Sequence, residues 1–321
     1  MAAVGIFTRG WLGANASVKS DPVVSSAYIS SGKHDRPVAV VFVHGVFGER
    51  TDTWLNTESK AEFPELLAAD PTFGNKIDVF VFEYFTPKFS LAPSIVDLSD
   101  QLRGELDDHR VFDEHRAVVF LAHSMGGIIV RQFLLTNRER IQKVPMIFFY
   151  ATPTNGSDLA ALARIASANP QLRGMTPLEG NDFLQSIQSG WLNSLQVQAI
   201  ASHCAVEELP MYGQIVVSRS SASSLCNRGL DPFSSNHIDI VKPQDRSDPR
   251  YSRFTSALVK EVPSLTLTNK APISERATRT KSAPEQAPVQ LHSNGDHNVI
   301  TGVNNGTIQP DEDKPAKPER H

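Results

Sequence analysis

One serine in this chain stands where an apolar strand would turn sharply into a helix. The segment 117–122 is apolar, Ser124 follows, and a helical apolar pattern begins at Met125. A serine on such a turn needs small residues two positions before and after it, because a bulky side chain would collide with the folded backbone. Ala122, where glycine is more usual, and Gly126 meet this need. The pattern predicts an exposed nucleophile; the alternative is a serine that only caps the helix.

A second turn upstream could stabilise negative charge. The apolar run 37–43 ends in His44-Gly-Val-Phe-Gly48. Attack of a hydroxyl on a carbonyl carbon generates an oxyanion, which backbone N–H groups at tight turns can bind. We predict that the amides of Val46 and Met125 form this oxyanion hole, the latter at the positive end of its helix. The alternative for residues 44–48 is an ordinary turn that ends a strand.

A serine nucleophile needs a general base, and histidine is the usual one. Five histidines follow the serine, the last three in a polar tail: His203, His237, His292, His297 and His321. His203 falls at the end of a predicted helical stretch. His237 instead follows a predicted strand and a loop, which is where a base from late in the domain would lie. We therefore select His237.

Apolar segments alternate with helical patterns along the chain. Strands are predicted at 38–43, 77–84, 117–122, 145–150 and 214–218. Apolar residues at helical spacing occur between them, as in Ile95, Leu98, Leu102 and Leu106. This alternation predicts an α/β fold, with a mostly parallel central sheet and helices on both faces.

The segment 157–212 is longer than a simple crossover between two strands requires. A second amphipathic piece within them carries Phe183, Ile187, Trp191 and Leu195. We predict a helical insertion here. It would act either as a lid that covers the site and excludes water, or as additional helical packing without mobility.

Five blocks of the sequence resemble one family. They are residues 43–54, 121–127, 150–157, 216–222 and 236–243. Their order and separation are similar to those of the serine α/β-hydrolases related to the GPI inositol-deacylase-like lipases and to the serine active site-containing lipase-like proteins. The resemblance covers roughly residues 37 to 262. It implies an α/β-hydrolase fold and an ester-cleaving enzyme, with Ser124 as nucleophile and His237 as base.

The acid that orients the histidine is the open point. Many α/β-hydrolases carry it directly after the strand that precedes the histidine loop, but residues 218–221 here read Ser-Arg-Ser-Ser. Some lipases carry it after the preceding strand, which selects Asp158, shortly beyond the apolar residues 148–150. Three alternatives remain: Asp158 only stabilises a helix start, Asp231 is the acid, or a backbone carbonyl assists a serine–histidine dyad.

Composition fits a globular enzyme of 321 residues, 40% of them hydrophobic, with a net charge of −4. Scattered Lys and Arg form no basic stripe, which argues against a nucleic-acid partner. Only Cys204 and Cys226 occur, and we expect buried thiols rather than a disulfide framework. No run reaches the roughly 18 apolar residues of a membrane span. We expect a cytoplasmic protein and leave open a peripheral contact with a membrane.

Three regions follow from the pattern: an N-terminal extension at 1–36, the hydrolase domain at 37–262, and a polar tail at 263–321. Ser, Thr, Pro, Lys and Glu dominate the tail, as in disordered segments. A repeat within residues 297–308 favours a short β element that could pair with another copy or with a partner protein. A chance repeat would look the same.

Together these residues predict a serine hydrolase that cleaves carboxylic esters, lipase- or esterase-like, through an acyl-enzyme intermediate. The substrate would be a lipid or another acyl ester, and no metal or organic cofactor is implied. Two alternatives remain. One is a binding or regulatory module with weak chemistry, which the unassigned acid motivates. The other is an acyltransferase that uses the same serine.

Overall fold

The computed structural model describes residues 25–30, 32–46, 48, 51–84, 94–155, 158, 162 and 181–265. Three predicted features lie wholly or largely outside these ranges. They are the first part of the N-terminal extension, the first half of the insertion, and the tail with its β element at 297–308.

Seven strands among the described residues form one sheet. They are β1 (Ala27–Tyr28), β2 (Val38–Val43), β3 (Ile77–Phe82), β4 (Ala117–His123), β5 (Met146–Tyr150), β6 (Ala201–Glu207) and β7 (Leu230–Phe233). Their order across the sheet is β1-β3-β2-β4-β5-β6-β7. Every neighbouring pair is parallel except β1 with β3. The carboxyl ends of the six parallel strands therefore meet at one edge.

Helices connect the strands, as parallel pairing requires. The described α-helices are α1 (Phe63–Ala68), α2 (Ile95–Asp108), α3 (Val111–Glu114), α4 (Met125–Thr136), α5 (Asn181–Leu192), α6 (Leu195–Gln198), α7 (Arg219–Ser223) and α8 (Pro249–Glu261). Short 3-10 turns lie at Gly74–Lys76, Arg138–Lys143, Asp239–Val241 and Pro263–Leu265. Among the described residues, no helix is both long enough and apolar enough to cross a bilayer.

The sheet is buried on both faces. All six residues of β2 are fully buried, and alternate side chains enter two separate cores. Val38, Val40 and Phe42 pack with α1 and α8, whereas the intervening residues pack with α2 and α4. A strand covered on both sides reads as a continuous apolar run, which is why β2 was easy to recognise. The predicted α/β fold with helices on both faces is confirmed.

One predicted strand is absent from the sheet, and three of the observed strands, β1, β6 and β7, were not predicted. The predicted strand at 214–218 is a turn, and residues 201–207, expected within the helical insertion, form β6. β6 reads Ala-Ser-His-Cys-Ala-Val-Glu, whose small and polar residues give no strong apolar pattern. In addition, Ala27–Tyr28 of the predicted N-terminal extension pairs with β3.

Cys204 and Cys226 form a disulfide, with Cα atoms 6.1 Å apart. The expectation of two unpaired thiols was therefore wrong. Parallel pairing of β6 with β7 explains the proximity, because Cys204 lies opposite Leu230, four residues beyond Cys226. This pairing was not foreseen because β6 itself was not recognised.

Candidate active site

Ser124 occupies a strained turn between β4 and α4. Its backbone has φ 54° and ψ −126°, a conformation that residues other than glycine rarely adopt. Its N–H donates to Tyr150 O at 2.9 Å, which fixes the turn against β5. The side chain makes no capping hydrogen bond to α4. The alternative of a serine that only caps the helix is therefore wrong.

Two close backbone approaches explain the glycines around this serine. A Cβ on Gly126 would lie 2.4 Å from the carbonyl oxygens of Val43 and His44. A Cβ on Gly45 would lie 2.7 Å from Ser124 Cβ. These distances are far below ordinary contact, so only glycine fits either position. The end of β2 and the start of α4 are thereby packed tightly against each other.

His237 lies beside Ser124, although 113 residues separate them in the chain. Its Nε2 is 3.0 Å from Ser124 Oγ. The ring follows β7, and both residues are buried. The other ring nitrogen, Nδ1, is 3.0 Å from Glu207 Oε2. The structure thus brings a hydroxyl, an imidazole and a carboxylate into one hydrogen-bonded row.

Glu207 is the carboxylate that the sequence reasoning missed. It is the last residue of β6, and its Oε1 accepts hydrogen bonds from the amides of Val216 and Val217 at 2.9 and 2.8 Å. These amides belong to the segment that had been predicted as a strand. β7 lies between Glu207 and the histidine loop, so this carboxylate comes one strand earlier than the strand directly before the loop. The available signal was a carboxylate at the end of a strand, and the strand was not recognised.

The structure does not bring Asp158 to the histidine. Its Oδ2 instead accepts hydrogen bonds from the Ser218 amide and hydroxyl at 3.1 and 3.2 Å. Asp158 thus secures the start of α7, and its selection as the acid is corrected to Glu207. Asp231 is not at the histidine either. Asp231 lies in β7 and is paired with Ala205 of β6, and Ala205 is two residues before Glu207. The Asp231 carboxylate is 3.8 Å from Arg253 Nε.

The two hydrogen bonds of His237 define how its ring can act. When Nδ1–H donates to Glu207, Nε2 carries the lone pair that accepts a proton from Ser124. A buried carboxylate also stabilises the imidazolium that forms after the transfer. The arrangement can therefore activate a serine hydroxyl and return the proton to a leaving group.

The two predicted oxyanion donors flank Ser124. Met125 is the first residue of α4, so its amide is one of the first-turn N–H groups without an intrahelical acceptor. Val46 is buried in the turn after β2 and lines the same cavity as Ser124. A hydrogen bond from Gly48 N to Gly45 O at 3.0 Å closes this turn.

Contacts of His44 and Tyr84 stabilise the turn after β2. The Tyr84 hydroxyl donates to His44 O at 2.8 Å, and the two rings stack with centroids 4.1 Å apart. Burial lowers the pKa of His44 to about 4, so its ring is neutral near pH 7. Its Nδ1 contacts Gly45 O at 2.9 Å. These contacts fix the backbone that carries the Val46 amide.

His123 links the serine turn to the histidine loop. Its Nε2 donates to His237 O at 2.9 Å. Burial, aided by the nearby His237 ring, lowers the pKa of His123 well below its usual value. The neutral ring therefore keeps this bond at ordinary pH. Sequence reasoning did not single out His123, because its role depends on a distant loop.

A cavity of about 140 Å³ adjoins Ser124. One wall is the turn after β2, with Gly45 and Val46, and the opposite wall includes Ile238 and Lys242 from the histidine loop. Reacting groups of a substrate could enter here. No grouping of three or more metal-ligating side chains occurs in the part of the chain that the structure describes.

The fold and this arrangement define an α/β hydrolase. The chain matches the Alpha/beta hydrolase family over residues 40–300 and belongs to that family. The resemblance drawn from the five sequence blocks is thereby confirmed.

The sequence identity to individual relatives is low. The chain is similar to Protein SERAC1 of Bos taurus, with 25% identity over 263 residues that cover 70% of this chain and 39% of the bovine protein. Protein SERAC1 of Homo sapiens is 26% identical over the same shares. The chain thus spans about two fifths of the length of these curated relatives.

Similar solved structures include two bacterial proteins. Lipase BlEst2 from Bacillus licheniformis, in mature form, has 16% identity and a TM-score of 0.48, covering 75% of this chain and 98% of that chain. Phospholipase PlaB from Legionella pneumophila has 20% identity and a TM-score of 0.42, covering 54% of this chain and 38% of that chain.

Proposed function

We propose that this protein is a serine hydrolase that cleaves carboxylic esters, with a lipid or another acyl ester as substrate. The observation that carries the proposal is the row of two 3.0 Å contacts that joins Ser124, His237 and Glu207. The strained turn at Ser124 supports it, because such strain persists only where the surrounding structure enforces it and is typical of functional sites.

In the first half of the proposed reaction, Ser124 Oγ attacks the carbonyl carbon while His237 Nε2 takes its proton. The resulting tetrahedral oxyanion accepts hydrogen bonds from the Val46 and Met125 amides. Each such donor typically contributes on the order of 3 kcal/mol to transition-state stabilisation. The bond from carbon to the alcohol oxygen then breaks, and the His237 proton passes to that oxygen. An acyl group remains on Ser124.

In the second half, water replaces the alcohol. His237 takes a proton from the water, whose oxygen attacks the acyl carbon, and the same amides bind the second oxyanion. Breaking the bond to Ser124 Oγ returns the proton from His237 to the serine and releases the acid. Glu207 keeps the imidazole in the required tautomer throughout.

A fluorophosphonate probe tests the proposal, because it reacts covalently with activated serines. We expect labelling of the wild-type chain and none of Ser124→Ala. The matched control is Ser99→Ala, since Ser99 is buried on α2 and its hydroxyl has no hydrogen-bond partner among the described residues. This control should label as the wild type does. A folded wild-type protein that does not label, or labelling that persists in Ser124→Ala, would refute the proposal.

Product analysis separates hydrolysis from acyl transfer. With a soluble butyrate ester, we expect free butyrate to be the main product even when a competing alcohol is added. Accumulation of the new ester in its place would assign the acyl-enzyme to transfer.

A further inference from the structure

The cavity beside Ser124 is small, and most of its lining surface is apolar. Its volume is about 140 Å³. A compact group fits such a space. Charged residues line it on two sides, Lys242 from the histidine loop and Asp52 from the 51–56 turn.

The position of the cavity assigns it to the alcohol half of an ester. In the proposed reaction, His237 Nε2 gives its proton to the leaving oxygen, so the alcohol must lie against His237. Ile238 and Lys242 continue the same loop and line the cavity. A group attached to the leaving oxygen therefore meets this wall first.

The local fold holds Lys242 in place. Asn236 Oδ1 accepts hydrogen bonds from the amides of Ile238 and Asp239, which starts the 3-10 turn Asp239–Val241. Lys242 ends this turn, and its carbonyl accepts a hydrogen bond from Asn56 Nδ2 at 3.0 Å. The hydrogen bond from Asn56 thereby joins the 51–56 turn to the histidine loop.

The charge of Lys242 is available to a ligand. The residue is half-buried, and no carboxylate pairs with its ammonium group among the residues that the structure describes. Burial is the main cause of the low pKa of His123 beside Ser124, and the positive charge of Lys242 adds to it. Asp52, by contrast, is exposed, so water screens its negative charge. Lys242 is therefore the less screened of the two charged residues that line the cavity.

We propose that this cavity is a subsite for an anionic group, a phosphate or a carboxylate, carried by the alcohol half of the ester, with Lys242 as its cationic partner. The inference rests on the proposed function and names the substrate class of the same site. Lys242 is a specificity-determining residue: it selects the alcohol and takes no part in the proton transfers.

Four butyrate esters of similar size test this subsite. They are butyryl glycerol, butyryl glycerol phosphate, butyryl glycerate and butyrylcholine, and butyrate release gives kcat/KM for each. We expect the wild type to favour the phosphate or glycerate ester over the neutral ester by about tenfold or more, and to disfavour the choline ester. Comparing the two anionic esters decides between phosphate and carboxylate.

Charge variants identify the residue responsible. Lys242→Gln should bring the anionic and neutral esters to within about twofold of each other, and Lys242→Arg should restore most of the preference. Asp52→Asn should keep or strengthen it. Lys260→Gln, at an exposed lysine of α8, should change nothing. In a second measurement, glycerol phosphate should slow fluorophosphonate labelling of the wild type but not of Lys242→Gln, and glycerol should slow neither.

The outcomes separate this inference from the proposed function. Equal rates on anionic and neutral esters, or a preference that survives Lys242→Gln, would overturn the subsite while ester hydrolysis stands. A chain that neither labels nor releases butyrate would refute the proposed function, and the subsite with it.

Discussion

Replacing Glu207 with glutamine changes one atom of the proposed catalytic row and leaves its shape intact. In Glu207→Gln, the side-chain amide oxygen can still accept hydrogen bonds from Val216 and Val217, as Glu207 Oε1 does at 2.9 and 2.8 Å. The amide nitrogen would then face His237 Nδ1, where the carboxylate now lies at 3.0 Å. Because that nitrogen donates, Nδ1 must become the acceptor, and the ring proton moves to Nε2. His237 then has no lone pair for Ser124.

The expected loss is large. The corresponding acid-to-amide change in a serine protease triad lowers kcat about 10⁴-fold, because the histidine is held in the wrong tautomer. At about 1.4 kcal/mol per factor of ten, this equals about 5 kcal/mol of transition-state stabilisation. We expect a decrease of this order for Glu207→Gln, with a residual rate from the oxyanion hole and from binding.

Steady-state hydrolysis of a soluble ester measures the effect, and urea unfolding shows whether the variant is folded. The matched control is Asp158→Asn, which alters a carboxylate that contacts Ser218 rather than His237. Its kcat should stay within a few-fold of the wild type. A Glu207→Gln variant within tenfold of the wild-type rate would refute the assignment. So would a loss of a thousandfold or more in a folded Asp158→Asn variant.

Three further perturbations test the surroundings of the site. Gly126→Ala should destabilise the fold by about 3 kcal/mol in urea unfolding, because its Cβ would meet two carbonyl oxygens at 2.4 Å. Gly104→Ala, within α2 and with nothing in reach of its Cβ, should instead stabilise by about 1 kcal/mol. Because burial lowers the pKa of His44 from 6.5 to about 4, the unfolded chain takes up this proton at a higher pH than the folded chain. The free energy of unfolding should therefore not depend on this proton above pH 6.5, and it should decrease by about 3 kcal/mol as the pH falls from 6.5 to about 4. His44→Gln should remove this part of the decrease. His123→Phe should lower kcat and the fluorophosphonate labelling rate about tenfold, the value of one hydrogen bond to His237; an unchanged labelling rate would contradict this positioning role.

Features encoded locally could be predicted from the sequence. The strand, turn and helix around Ser124 lie within twenty consecutive residues, and the small residues there are required by contacts at the turn itself. β2 could be predicted for a similar reason, since burial on both faces makes all of its residues apolar. His237 could be selected because few histidines follow Ser124 outside the tail.

The acid could not be predicted, because its strand gives a weak signal. β6 carries Ser202, His203 and Cys204 in succession, so its sequence is not a continuous apolar run. The His203 ring stacks on Phe148 with centroids 5.7 Å apart, and Cys204 forms the disulfide. The more apolar segment 214–218 therefore looked like the strand before the histidine loop. Once that strand was misplaced, no carboxylate followed it, and Asp158 was selected instead.

The order of the strands explains why the histidine loop has to be anchored. Ser124 follows β4 and His237 follows β7, three positions away in the sheet, or about 14 Å at about 4.8 Å per strand. The loop after β7 must therefore reach back over the ends of β6 and β5. Glu207 lies at the end of β6, and hydrogen bonds from His123 and Asn56 hold the loop at two points, at His237 O and Lys242 O. The same bonds that bring the imidazole to the serine thus place Lys242 against the cavity, so the base and the proposed specificity residue are positioned together.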